Sequence, residues 1–216
     1  MKKDVVVIGA GIMGCAIGFE FAKKGYATAV VDALEEPGFG STSNSCAIIR
    51  FSYSTHEGVA LSWESMAYWD DWKNYIGIKD EKGLIKFIKK GSIELTYHNY
   101  SNKALQSRYD KAGVRWEYWD RGKIEKVAPF FNMKKFYPPR RPDDELFFQD
   151  PLEYVEGGMY TPDSGYINDP VLSCNNIMRG AQEKGAKFLF NTKVVEILTD
   201  NNQVAGVVLS DGNKIS

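Results

Sequence analysis

The sequence predicts an α/β fold: a parallel sheet opened by a strand–helix–strand unit, with an α+β segment inserted before the α/β alternation resumes. Three observations predict it. Val5-Val6-Val7-Ile8 is a continuous β-branched apolar run, the pattern of a strand buried on both faces of a parallel sheet. The glycine pattern Gly9-Ala10-Gly11-Ile12-Met13-Gly14 follows it at once and opens a helical stretch. After Met159 a helix and several short strands return, as expected of an interrupted sheet domain.

In order, Ile12 to Lys24 reads as a helix with Ile17, Phe21 and Ala22 toward the sheet, and Gly25 stops it. Thr28 to Val31 is the second strand and ends at Asp32. Together these make a βαβ unit of about 30 residues, the usual size. Glu35 to Thr55 is an aperiodic loop rich in Pro, Gly, Ser, Thr and Asn. His56 to Ile76 reads as a helix, since Leu61, Tyr68, Trp72 and Tyr75 fall at three- or four-residue steps. Leu84 to Lys89 and Ser92 to Tyr97 read as strands broken by Gly91, Asn102 to Ala112 as a helix and Val114 to Trp119 as a strand. Pro138 to Pro151 is a loop. Met159-Tyr160 is a short strand, with a turn from Thr161 to Gly165. Pro170 to Lys184 is a helix with Pro in its first turn and Asp169 as N-cap. Lys187 to Phe190, Lys193 to Leu198 and Val204 to Leu209 are three further strands. The division expected is 1–80, an insertion over 81–156, and 157–216.

Composition excludes several classes. Hydrophobic residues make up 44% and charged residues 25% of the 216, so the chain is ordinary globular material. A net charge of -1 gives no pull toward nucleic acid or an anionic membrane. No stretch reaches the roughly 20 apolar residues of a membrane span, and the N-terminus lacks a signal-peptide pattern. Cys15, Cys46 and Cys174 form no C-x-x-C pair, which argues against a zinc site or a disulfide framework and points to a reducing cytoplasm.

The glycine loop carries the most specific chemistry. Gly9 permits the turn out of the strand, Gly11 lets backbone approach a pyrophosphate, and Gly14 lets helix and strand pack closely. Ile12, Met13 and Gly14 then open a helix whose free N–H groups and dipole face the phosphates. Asp32 lies 18 residues beyond Gly14, where a carboxylate accepts from ribose hydroxyls. That acid would repel a 2′-phosphate, so the motif points to FAD or NAD and leaves the two open. A second stretch runs from Gly38 to Arg50 and includes Ser41, Thr42 and Ser43. On composition alone it is a solvated hydroxyl loop with a surface Arg, although that guanidinium has the geometry to fork onto a carboxylate.

The chain resembles the superfamily of D-amino-acid oxidase, sarcosine oxidase and glycine oxidase. Val6 to Gly14 is similar to its opening, and Gly40 to Ser43 with Ile48-Ile49-Arg50 resembles its second flavin-contacting loop. Gly158 to Pro170 resembles the stretch that re-enters the flavin domain, and the match continues through Asn191 to Ile197. The resemblance implies an FAD-binding Rossmann-like domain in two parts, 1–80 and 157–216, interrupted by part of a substrate domain. It implies FAD contacts at Gly9, Gly11, Ile12, Met13, Gly14, Asp32, Ser41, Thr42, Ser43 and the backbone of Val194. It implies oxidation of the C–N bond of an amino acid or N-methylated amine, with hydride transfer to the flavin and Arg50 orienting the substrate carboxylate.

Departures are visible too. Ser43, Asn44, Cys46 and Ala47 stand where branches of the family place basic or imidazole groups, so a flavin bonded through a histidine here is not supported. His56 and His98 read as structural or solvated, Cys46 as a small filler, and Trp63, Trp69 and Trp72 as core. Arg140, Arg141, Asp143, Asp144 and Glu145 read as a solvated loop. In the family the chain runs on beyond the position of Ser216, so the resemblance implies a companion polypeptide or a further C-terminal half, and weak FAD retention by these residues alone. Two other readings stand beside this one: a non-catalytic FAD-binding subunit, and an NAD-dependent dehydrogenase.

Overall fold

The computed structural model describes residues 1–96 and 102–216. In chain order they form β1 (Val5–Ile8), α1 (Ile12–Lys23), β2 (Thr28–Val31), β3 (Ile48–Ile49), α2 (His56–Asp70), α3 (Trp72–Ile76), β4 (Phe87–Lys89) and β5 (Ser92–Leu95). Then follow α4 (Asn102–Ala112), β6 (Glu117–Asp120), α5 (Arg121–Val127), β7 (Gly157–Thr161), β8 (Gly165–Ile167) and α6 (Pro170–Glu183). The last elements are β9 (Lys187–Leu189), β10 (Val194–Asp200), β11 (Gln203–Leu209) and β12 (Lys214–Ile215).

The chain divides into two compact units. Unit 1 comprises 1–48, 68–88 and 166–216, and unit 2 comprises 49–67 and 89–165. The segment 49–67, expected with the sheet domain, thus belongs to unit 2.

Unit 1 holds a parallel sheet in the order β1-β2-β9. Every residue of β2 is buried, which explains its unbroken Thr-Ala-Val-Val sequence. An antiparallel β10-β11-β12 sheet packs Val207, Leu209 and Ile215 against Ala29 and Val31 of β2. Its last residues turn back to the first: Ser216 N donates to Met1 O at 3.0 Å and Lys3 N to Ser216 O at 2.8 Å.

Helix α1 buries Ala22 as expected, but not Ile17 and Phe21. Its buried residues are Cys15, Gly18, Phe19 and Ala22, whereas Ile17 and Phe21 are exposed. The reason is close approach through glycines. A Cβ at Gly18 would sit 2.6 Å from Val30 Cγ2, and one at Gly14 would sit 1.8 Å from Gly9 O. The glycine stripe lies on the sheet, which turns Ile17 and Phe21 outward.

Helix α6 begins as expected, with Asp169 Oδ1 accepting from Leu172 N at 2.8 Å and Pro170 in the first turn. One of its residues organises the segment before β4. The buried Asn176 accepts through Oδ1 from Trp72 Nε1 and Ile85 N, both at 3.1 Å. Its Nδ2 donates to Asp80 Oδ2 and Gly83 O, both at 2.9 Å. The expected helix over 56–76 is accordingly two helices, broken at Asp71, with Trp72 buried in unit 1.

Unit 2 is an antiparallel β5-β7-β6 sheet with helices α4 and α5. Phe51 and Val59 pack with Leu105, Tyr109, Val114 and Met159, and Trp63 lies against them. Trp63 and the stacked pair Trp69–Trp72 therefore lie in different units. Asp163, 5% exposed, takes Arg115 Nε at 2.8 Å and Nη2 at 2.5 Å, which fixes the turn between β7 and β8. Helix α5 carries no apolar period that predicts it, although Asp120 caps it by accepting from Lys123 N at 2.7 Å. The loop from 138 to 151 is exposed for most of its length and carries Arg140–Asp144 and Arg141–Asp143 ion pairs, as expected.

Candidate functional site

The candidate site is built in unit 1 at the carboxyl ends of β1 and β2, the edge at which open α/β sheets bind ligands. Gly9 leaves β1 with φ +101, a conformation open to glycine, and its N donates to Val31 O at 2.8 Å. Gly11 is the N-cap of α1 and brings no side chain to the turn. The first-turn N–H groups of Met13 and Gly14 have no intrahelical acceptor, and α1 has no acidic residue in its first turn. The Gly14–Gly9 approach presses the helix start onto the strand end. The result is a glycine-walled helix N-terminus suited to a pyrophosphate.

Asp32 is half-buried at the end of β2. Its Oδ2 accepts from Ala10 N at 2.5 Å and its Oδ1 from Leu34 N at 2.8 Å. The carboxylate thus clamps the middle of the glycine loop. Each oxygen still has a second lone-pair direction, so the clamp is compatible with accepting ribose hydroxyls.

The hydroxyl loop 38–45 divides by residue. Thr42 is buried, and its Oγ1 accepts from Ile12 N at 3.1 Å. It caps α1 from another segment, and its oxygen would lie 3.3 Å from a Cβ at Gly11. Ser43 turns back on its own loop, donating to Gly40 O at 2.9 Å. Ser41 is exposed. Gly38, at φ +81, donates from N to Ala10 O at 2.9 Å and so fastens this loop to the glycine loop. The sequence pattern assigns no separate role to Ala10 or Gly38, and Gly38 beside Pro37 is the available signal.

Beyond that loop the backbone is strained: Ala47 has φ +52, costly for a residue with a Cβ. Two bonds hold it, Ala47 N to Ser45 Oγ at 3.0 Å and Ile167 N to Ala47 O at 3.0 Å. Cys46 is exposed, which corrects its reading as a filler.

Val194 opens β10 opposite Leu209, and its side chain packs on the cluster around Ala29 and Val31. Arg50 belongs to unit 2. It is exposed, donates from Nη1 to Ser52 Oγ at 3.2 Å, and sits 5.8 Å from the Tyr53 ring centre. The structure therefore brings Gly9, Gly11, Ile12, Gly14, Asp32 and Thr42 together by bonds and close approaches, places Met13 on the same helix turn, and puts Arg50 in the other unit. His56 is exposed at the start of α2, and His98 lies outside the described residues. Among the described residues no group of three or more His, Cys, Asp or Glu could hold a metal ion, and no helix is long and apolar enough to cross a membrane.

Residues 4–216 match the model of the family described as FAD dependent oxidoreductase (DAO). The chain is 25% identical over 215 residues to N-methyl-L-tryptophan oxidase of Salmonella dublin, covering 99% of this chain and 51% of that protein. The same enzyme of Salmonella newport is 25% identical over 206 residues, 94% of this chain and 49% of that one. Among solved structures, L-proline dehydrogenase from P. horikoshii superposes with a TM-score of 0.77 at 24% identity, over 99% of this chain and 51% of that chain. Glycine oxidase from Geobacillus kaustophilus gives a TM-score of 0.70 at 22% identity, over 100% and 53%. The chain spans about half the length of the curated relatives it matches.

Proposed function

The chain belongs to the FAD dependent oxidoreductase family, and from that premise we propose that it binds FAD and takes part in oxidising the C–N bond of an amino acid or N-methylated amine. One observation carries the reading. The Gly9–Gly14 turn, the Asp32 clamp on Ala10 N and the Thr42 cap on Ile12 N form one bonded cradle at the end of a parallel sheet.

The residues fit the group. Gly11 leaves open the space a Cβ would fill, the N–H groups of Met13 and Gly14 suit the pyrophosphate, and Asp32 suits the adenosine ribose. Ser41 and Ser43 would face the flavin side through hydroxyl or backbone groups, and the Val194 backbone would meet the adenine. Bound flavin supplies the hydride acceptor, and the protein's share is position and electrostatics. Arg50 would orient a substrate carboxylate with guanidinium N–H groups beyond the one given to Ser52. The substrate class rests on relatives named for N-methyl-L-tryptophan and on the resemblance of Ile48-Ile49-Arg50. Since those relatives are about twice as long, turnover would draw on a further polypeptide segment, in the same chain or a companion.

The test is the absorption spectrum of the purified protein and of Gly11→Val. Gly11 has φ -70 and ψ -179, which any residue adopts, so the variant should fold. Its branched side chain would fill the phosphate approach beside Thr42. With FAD added in excess, we expect bound flavin, weakly held, in the parent and none in the variant. Tight flavin retention by the variant would refute the cradle, and a selective response to NAD would favour a dehydrogenase.

A further inference from the structure

Unit 2 carries an ordered arm over residues 133–155. Met133 and Val155 root it in the cluster of Trp119 and Ile124. From there two extended segments run out side by side. Val155 N donates to Met133 O and Lys135 N to Glu153 O, both at 2.9 Å, with Lys134 opposite Tyr154. Carried one step outward, that register sets Phe136 against Leu152 on the face of Tyr154. Ion pairs Lys134–Asp150 and Lys135–Glu153 tie the base. Successive turns shape the tip, with Asp144 N donating to Arg141 O at 3.0 Å and Phe147 N to Asp144 O at 2.9 Å. The arm's large apolar side chains are nonetheless open. Phe148 is 89% and Leu152 96% exposed, and Phe136, Tyr137, Phe147 and Tyr154 lie between 40% and 59%. At roughly 200 Å² per large side chain, these six present roughly 750 Å². That exceeds the roughly 300–600 Å² of the largest patch on a typical monomer. It approaches the ~800 Å² that each partner brings to a stable interface.

The charges select the partner. Between 134 and 153 the arm has four cations and five carboxylates, so it offers no basic surface to an anionic membrane or nucleic acid. At the tip, Arg140 and Arg141 precede Pro142, and Asp143, Asp144 and Glu145 follow it. A two-fold axis sets such a run against itself in reverse, so the arginines of each copy meet the acids of the other. The pairs within the chain are exposed and long, Arg140–Asp144 at 3.3 Å and Arg141–Asp143 at 3.8 Å, so exchanging them costs little. We propose that this arm is a self-association surface that takes a second copy of this chain. The two arms pack about a two-fold axis, with Phe148 and Leu152 at the centre and the 140–145 runs trading ion pairs across it. The proposal is independent of the FAD reading.

The experiment is sedimentation of the whole chain over a range of concentrations at low ionic strength. We expect a reversible dimer in the parent. Phe148→Ser with Leu152→Ser should raise its dissociation constant at least ~10-fold. Both side chains are open, so the variant should keep the parent's circular dichroism and urea midpoint. Two charge variants test the arrangement: Arg140→Glu with Arg141→Glu, and Asp143→Lys with Asp144→Lys. Each alone sets like charges against like and should stay monomeric where the parent pairs. Mixed, they should form a dimer with one copy of each. A parent that stays monomeric leaves the surface to a companion polypeptide and overturns the proposal. A dimer unchanged by the Phe148 and Leu152 substitutions is held by another face and also overturns it. Failure of the mixed charge variants to pair overturns the two-fold arrangement.

Discussion

Gly14 and Arg50 show how differently single residues act here. A methyl group at Gly14 would lie 1.8 Å from Gly9 O, a backbone atom that cannot swing aside. Gly14→Ala must therefore lift α1 from β1, and we expect a loss of ~3 kcal/mol, read as a lower urea midpoint with unchanged slope. An unchanged midpoint would mean that the helix start relaxes freely. Arg50 is exposed and held by one hydrogen bond to Ser52, so Arg50→Ala should leave the urea midpoint within ~0.5 kcal/mol. If Arg50 orients a substrate carboxylate as proposed, Arg50→Ala should raise the apparent KM for a carboxylated amine at least ~10-fold. Equal kinetics with carboxylated and decarboxylated substrates would remove Arg50 from that role.

At the scale of the element, α1 is the informative case. Its apolar residues cover most of its circumference, and periodicity alone selected Ile17 and Phe21 for the sheet. The glycines at 14 and 18 decide otherwise, because close approach brings far more contact than two larger side chains on the opposite face. Phe19, 1% exposed, should cost ~3–5 kcal/mol when replaced by Ala. Ile17, 42% exposed, should tolerate Ser within ~0.5 kcal/mol. Reversed costs in thermal or urea unfolding would put the expected face back on the sheet. Helix α6 was legible from end to end because its start rests on local chemistry, Asp169 and Pro170. The break at Asp71 was not, because it serves a bond from Trp72 to Asn176, 104 residues away.

For the whole molecule, FAD is expected to act as a stabilising ligand. The cradle joins β1, α1, β2 and the 38–45 loop, so its occupation is linked to the folding of unit 1. At about 100 times its dissociation constant, FAD should add ~2.7 kcal/mol to stability. The check is a thermal melt with and without FAD, which should rise in the parent and stay level in Gly11→Val. An equal rise in both would place the flavin elsewhere.

By itself the sequence determined the parallel start of the fold, the glycine cradle, the acid at the end of β2, the cap of α6 and the family. All of these are written in short spans, where a turn needs a glycine or a helix needs a cap. Only tertiary structure decided which face of α1 is buried, that Thr42 caps α1 from 30 residues away, and that segment 49–67 joins unit 2. Each of those depends on segments distant in the chain meeting in space, and local residue preference carries no record of such meetings.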